Sequence, residues 1–287
     1  MSVRPVGILG LGLIGGSMAQ AVAADPRYEA YGSDADKATV DMAIEEGVLA
    51  GKLEDHYEDI DILIVALYPR DVVDIISEII PKLKEGCVIV DCTGIKSEVC
   101  SRLSKSVSNQ GRRFVGGHPM AGKEVAGYEN SDAELFMNAS MILCKDEYTD
   151  EEALRELEFF FTDLGFDPIT VTTPEKHDRV IAYTSQLAHV VSSAYIQSKT
   201  CNDRYGFSAG SFKDMTRVAK LNPEMWADLF LANRQPLVSE IDELLENITK
   251  YRDAIRDQDR EELTRLLTAG RIRKIKDEQM EFDRSHD

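Results

Sequence analysis

Along residues 1–172 the hydrophobic positions switch between two periods. Residues 62–67 are apolar at every position, the pattern of a strand covered on both faces of a parallel sheet. Other stretches place apolar residues three and four apart, the pattern of amphipathic helices. The pattern predicts strands at 3–9, 28–33, 62–67, 88–91, 113–115, 140–144 and 168–172. It predicts helices at 14–24, 36–46, 72–83, 96–108 and 151–164. Strand–helix alternation at this spacing implies right-handed βαβ crossovers and an α/β fold with a doubly wound sheet.

After residue 172 the two-residue period disappears. Thr173 followed by Pro174 has the chemistry of a helix start, a capping hydroxyl and a pre-set φ at the first helical position. This predicts a helix to about residue 198, then a polar connection over 200–211, short helices and two long ones. Leu237, Ile241, Leu244, Ile248, Tyr251 and Ile255 recur in steps of four and three, a narrow apolar seam. Such a seam serves equally as an internal packing face or a subunit interface. The expected organisation is a Rossmann-type domain over 1–172 and an all-α domain over 173–287, the latter joining two copies in a homodimer.

Composition narrows the function classes. The chain has 287 residues and a formal net charge of −18, which repels nucleic acid and anionic lipid. The longest apolar run, 62–68, is far too short to span a membrane. The first residues lack a basic stretch followed by an apolar one, so no secretory leader is expected. Five scattered cysteines without CxxC or zinc-type spacing fit reduced thiols and a cytoplasmic setting. An anionic substrate would need a local source of positive charge.

The chemistry-bearing stretches begin with GILGLGLIGGS at residues 7–17. Gly10, Gly12 and Gly15 form G-x-G-x-x-G between a strand and a helix, where backbone N–H groups and the helix dipole face a pyrophosphate. Asp34 ends the second strand, placed to accept from the adenosine ribose hydroxyls and to repel a 2′-phosphate, so NAD is expected over NADP. Asp34 as a simple helix cap is the alternative. Arg27 stands before that strand and is badly placed for a 2′-phosphate. In GGHPMAGKEVAG, residues 116–127, the glycines and Pro119 leave His118 presented at the edge of a loop after a strand. His189 sits on an otherwise apolar helix, where a lone histidine is usually a satisfied core residue. His56, His177 and His286 lie among charged residues and read as solvated. Lys213, Arg217 and Lys220, at i, i+4 and i+7, share one face of a predicted helix. That face is either solvated or the positive charge an anionic substrate requires. Phe212 and Trp226 bracket it and are suited to walling a ring.

The stretches GLGLIGGS (10–17), DCTGIK (91–96), HPMAGKE (118–124), SQLAH (185–189) and GSFKDMTRVA (210–219), with Trp226 and Asn233, together resemble the prephenate/arogenate dehydrogenase family, in order and across both halves of the chain. The resemblance implies oxidative decarboxylation of prephenate or arogenate with NAD and no metal. It makes His118 the hydrogen-bond acceptor for the ring hydroxyl. It makes Arg217 the partner of the ring carboxylate, with His189, Gly210 and Trp226 lining the pocket, Trp226 from its own chain or a partner's. It implies that Glu124 pairs with Arg217 and gates entry. On the nucleotide side it implies Gly10, Gly12, Leu13, Ile14, Gly15, Asp34 and Leu67. Three places depart from the family pattern. Gln186-Leu187-Ala188-His189 stands where relatives often have His-Leu-Pro-His, so the first His and the Pro are gone and the final His stays. Gly94 stands where many relatives have serine, so Thr93 or a backbone N–H is expected to replace that hydroxyl. Lys123 stands where many have Thr or Ser, and a cation there is suited to a second substrate carboxylate or a cofactor phosphate.

Overall fold

A computed structural model describes residues 3–123, 125–207 and 209–284. The chain divides into two compact units, Met1–Arg234 and Gln235–Asp287. The first unit opens with alternating elements: β1 (Arg4–Leu9), α1 (Leu13–Ala24), β2 (Tyr28–Ser33), α2 (Lys37–Glu45), β3 (Gly51–Lys52), β4 (Ile62–Val65), α3 (Pro69–Ile79), β5 (Val88–Asp91), α4 (Ser97–Asn109), β6 (Arg113–Pro119), β7 (Met141–Cys144), α5 (Glu151–Asp163) and β8 (Ile169–Thr172). The strands form one sheet in the order β3-β2-β1-β4-β5-β6-β7-β8.

All neighbouring pairs are parallel except β6 with β7. The antiparallel pair follows from the lack of a crossover helix among the described residues of 120–140, where the chain returns from β6 with only the 3-10 turn Tyr128–Asn130. The period of two sorts each strand between two cores. Ile62 and Ile64 enter one with Val6, Ile8, Met18 and Phe160. Leu63 and Val65 enter the other with Val72, Ile76, Val99 and Leu103. Strand order reverses beside β1, whose neighbours are β2 and β4, so the crevice at the strands' carboxyl ends opens there. The two-residue β3 carries too little pattern to be legible, and β6 runs four residues past its expected end.

From Thr172 onward the unit is helical. Thr173 accepts from the Lys176 N–H and caps α6 (Pro174–Ile181). A π-helical turn, Ala182–Gln186, joins α6 directly to α7 (Leu187–Ile196). Next come α8 (Gly210–Thr216) and α9 (Pro223–Ala232), the latter capped by the Asn222 side chain. Helix α10 (Arg234–Arg256) leads into the second unit, which contains α11 (Arg260–Arg284). Within that unit the Tyr251 hydroxyl donates to the Leu266 carbonyl at 3.1 Å. Ala254 is buried, while Ile248 and Ile255 of the apolar seam are more than half exposed. No described helix is long and apolar enough to cross a membrane.

Candidate active site

The glycine turn lies at the carboxyl end of β1, on the crevice. Gly10 has φ +89°, and a Cβ there would sit 2.5 Å from the Ala66 carbonyl oxygen and 2.9 Å from Leu67, the expected lining residue. A Cβ on Gly15 would overlap the Gly10 carbonyl, so α1 can pack this close to the turn only without a side chain. The amino end of α1, with Leu13 and Ile14 half-buried in its first turn, has no side-chain cap and no acidic residue. Its N–H groups and dipole therefore face the crevice, as a pyrophosphate requires. Asp34 closes the mouth. Its Oδ2 accepts from Leu11 N at 2.7 Å and its Oδ1 from Asp36 N at 2.8 Å. The cap of α2 is Asp36, which removes the alternative role for Asp34. Arg27 is held by Asp25 and Asp163. These groups fit a dinucleotide whose ribose meets a carboxylate.

Three strands along, His118 belongs to β6 itself, paired with Ile142 of β7; the expected loop position is corrected accordingly. Extended backbone ahead of Pro119 and the two preceding glycines suit a strand pressed against its neighbour: the Gly117 N–H donates to Asp91 Oδ1 at 3.3 Å. A Cβ on Gly94 would lie 3.8 Å from His118 Nε2 and 3.4 Å from Leu229 of α9. Gly94, His118 and Leu229 thus form one wall. Its depth pushes the His118 imidazole well below its usual pKa, first through burial and then through His177 and the Lys96 cation, against a smaller opposing effect of Asp178. His118 is neutral at pH 7.

Under this wall lies a polar network. Asp91 and Lys96 are both fully buried and paired. Lys96 Nζ also donates to Thr93 Oγ1 at 3.0 Å. The Thr93 hydroxyl is 2.6 Å from Asp91 and 2.9 Å from the Ile95 carbonyl. Thr93 therefore does not replace the serine missing at Gly94; its hydroxyl is turned into the sheet and consumed there.

His177 is the larger correction. It is 2 % exposed, not solvated. Its Nε2 lies 2.9 Å from His118 Nδ1, and its Nδ1 lies 2.7 Å from Asp178 Oδ1. Burial lowers the His177 pKa despite its Asp178 hydrogen bond. Burial alone would raise Asp178, but hydrogen bonds from His177, Ser97 and Lys96 hold it below the usual carboxylate range. The signal was present in the chain. Pro174, His177, Asp178 and Ile181 are the buried positions of α6, spaced i, i+3, i+4 and i+7 from a helix start that Thr173–Pro174 marks.

Of the remaining substrate-side residues, His189 and Trp226 lie together. His189 Nδ1 donates to the Val218 carbonyl at 3.0 Å, and its ring lies 3.7 Å from that of Trp226 in the same chain. The basic stripe is not a helix face. α8 ends at Thr216, Arg217 opens a 3-10 turn through Ala219, and Lys220 follows outside it. The chain must turn here to reach the Asn222–Pro223 start of α9. Phe212 stacks with Arg204 and Tyr195 rather than with Trp226. Gly210 opens α8 and is exposed. Lys123 pairs with Asp132 at 3.1 Å. Glu124, like His286, lies outside the described residues.

A doubly wound sheet with an open glycine turn at its switch point, and a neutral histidine at the carboxyl end of β6 in the same sheet, defines a nucleotide-binding dehydrogenase with an appended helical part. Residues 19–168 match the family described as "Prephenate dehydrogenase, nucleotide-binding domain" and residues 173–269 that described as "Prephenate dehydrogenase, dimerization domain". The chain belongs to the prephenate dehydrogenase family. It is 30% identical to the cyclohexadienyl dehydrogenase of Zymomonas mobilis over 89% of this chain and 90% of the relative. The crystal structure of prephenate dehydrogenase from A. aeolicus in complex with hydroxyphenyl propionate and NAD+ superimposes with TM-score 0.84 at 27% identity, over 96% of this chain and 99% of the other. Synechocystis arogenate dehydrogenase gives 0.82 at 26%, over 95% and 99%.

Proposed function

We propose that the protein is an NAD-dependent prephenate dehydrogenase, converting prephenate to 4-hydroxyphenylpyruvate and carbon dioxide on the way to tyrosine. The observation that carries this reading is His118: a neutral imidazole at the carboxyl end of β6 with Nε2 beside Gly94. NAD supplies the hydride acceptor when bound, its phosphates against the α1 terminus and its ribose against Asp34. The ring carbon bearing the hydroxyl loses hydrogen with its bonding pair while the hydroxyl proton passes to His118 Nε2. Loss of that proton makes the carbon a better hydride donor. The ring carboxylate leaves as carbon dioxide, its bonding pair enters the ring, and the product oxygen recovers the proton. Arg217 holds the ring carboxylate, and His189 with Trp226 lines the ring's far side. The helical part joins two copies of the chain, and the enzyme works in the cytoplasm.

The relatives bear names for prephenate, arogenate or both ring substrates, so the test offers both. Initial rates of NADH formation are measured with prephenate and arogenate side by side. A preference for prephenate in kcat/KM is expected. A preference for arogenate would replace the substrate and keep the site; turnover of neither would overturn the reading.

A further inference from the structure

We propose that His177 and Asp178 are positioning residues that lock His118 into the one neutral tautomer able to accept the substrate proton. The Asp178 carboxylate already accepts from Lys96 N at 2.7 Å and Ser97 N at 2.8 Å. It has no proton to give, so the 2.7 Å contact with His177 is a bond from His177 Nδ1–H. A neutral His177 then presents a lone pair on Nε2. That lone pair faces His118 Nδ1 at 2.9 Å, a distance that demands one hydrogen between the two nitrogens. The hydrogen must sit on His118 Nδ1. Neutral His118 therefore carries its lone pair on Nε2, the nitrogen beside Gly94 and Leu229 rather than the one bonded to His177.

The direction is anchored far from the ring. Helix α4 has no side-chain cap of its own at Lys96, and Asp178 supplies that cap from α6. The α4 dipole favours the ionised carboxylate. The Asp178 carbonyl accepts from Asn233 Nδ2 at 2.9 Å, which also donates to Gln186 Oε1 at 2.7 Å, so the hub cannot swing away. During turnover the substrate proton arrives on His118 Nε2, the Nδ1–H remains, and the cation formed keeps its hydrogen bond to His177. No proton moves along the chain, and Asp178 stays ionised. The catalytic meaning of this lock rests on the proposed reaction, but the tautomer itself does not.

Two measurements test it. Two-bond proton–nitrogen correlation NMR on the 15N-histidine-labelled full-length protein at pH 7.5 reports ring tautomers directly, with His118 signals assigned by their loss in His118→Asn. Both His118 and His177 are expected to carry hydrogen on Nδ1 only. Hydrogen on His118 Nε2 would overturn the proposal whatever the substrate. In parallel, His177→Gln retains an acceptor for His118 Nδ1 and His177→Leu does not. The Leu variant is expected to lose kcat by roughly 10²-fold or more, as misdirected tautomers do, with NAD affinity unchanged. The Gln variant is expected to recover at least about tenfold of that loss, since a neutral hydrogen bond suffices to orient the ring. Equal activity in the two variants would refute the lock. If either variant fails to fold, the spectrum of the wild-type protein decides alone. Correct tautomers with no turnover of either ring substrate would leave the lock standing and sink the proposed reaction instead.

Discussion

Lys96→Met isolates the cost of an unpaired charge beneath the site. Lys96 and Asp91 are both 0 % exposed, so removing the cation leaves a carboxylate inside the sheet with no counter-charge. Breaking one partner of a buried pair costs roughly 3–5 kcal/mol. Asp91 keeps three hydrogen bonds here, from Thr93 N at 3.1 Å, Thr93 Oγ1 at 2.6 Å and Gly117 N at 3.3 Å. These place the expected loss near the lower end, about 3 kcal/mol. For a unit of this size that is a fall in melting temperature of roughly 6–12 °C. Removing both charges, in Asp91→Asn with Lys96→Met, relieves the orphan and is expected to recover at least about 1 kcal/mol relative to the single variant. The assay is urea and thermal unfolding followed by circular dichroism at pH 7, on the three proteins together. A Lys96→Met protein within about 0.5 kcal/mol of wild type, the scale of ordinary surface changes, would refute the reasoning. So would a double variant less stable than the single one.

His118→Asn is expected to lower kcat by roughly 10²–10⁴-fold with little change in NAD affinity, read by steady-state rates and by nucleotide fluorescence titration. Because the His118 pKa is depressed, the base is neutral above its ordinary value and is lost only as pH falls through the lowered one. The kcat/KM profile should therefore stay flat from pH 8 down to about 6.5 and decline only below it; a limb centred at or above 6.5 would contradict the burial argument. The groups facing His118 are His177, Lys96 and Asp178, and loss of the Lys96 cation in Lys96→Met should move that limb upward. Arg217→Ala is expected to raise KM for the ring substrate by roughly 10- to 150-fold, the value of a charge-assisted hydrogen bond, and an unchanged KM would remove Arg217 from the site.

The elements were legible wherever one pattern acts alone. Ile62–Val65 is apolar at every position because both faces are covered, and Tyr28–Ser33 and Val88–Asp91 fall at the expected residues. The glycine turn was legible because its geometry forbids side chains at fixed spacing. The misreadings share one cause: the role of a polar residue depends on what reaches it from elsewhere in the chain. Charged neighbours in EKHDR argue for water around His177, yet only Glu175, Lys176 and Arg179 face outward, while α6 turns His177 and Asp178 in toward His118 and α4. Thr93 looked available for substrate because nothing local shows that Lys96 and Asp91 claim its hydroxyl. The basic stripe failed through a helix boundary. A heptad-like spacing over Lys213, Arg217 and Lys220 assumes continuity, and the Asn222–Pro223 start of the next helix leaves too little chain to keep it.

Asp178 shows why the sheet and the helices after it cannot be treated as independent parts. One carboxylate closes the amino end of α4, whose preceding residues include Gly94 and Lys96, and orients His177, which touches the histidine of β6. Its own backbone is held by Asn233, at the end of the helix that carries Leu229 to the same wall. A displacement of α6 therefore changes two things at once: the capping of a helix that supports the crevice and the placement of the acceptor nitrogen within it. Stability and catalysis are coupled at this residue by shared hydrogen bonds, since the Asp178 oxygens that cap α4 include the one that holds His177. Asp178→Asn can serve only some of these donors, because the amide has one acceptor oxygen where the carboxylate has two. If the amide oxygen takes the Oδ1 place, it keeps Lys96 N–H and His177 and loses Ser97 N–H; if it takes the Oδ2 place, it keeps only Ser97 N–H, and its NH₂ faces both Lys96 N–H and His177 and favours the opposite tautomer along the whole row. Either arrangement forces the protein to give up part of its stability or its base.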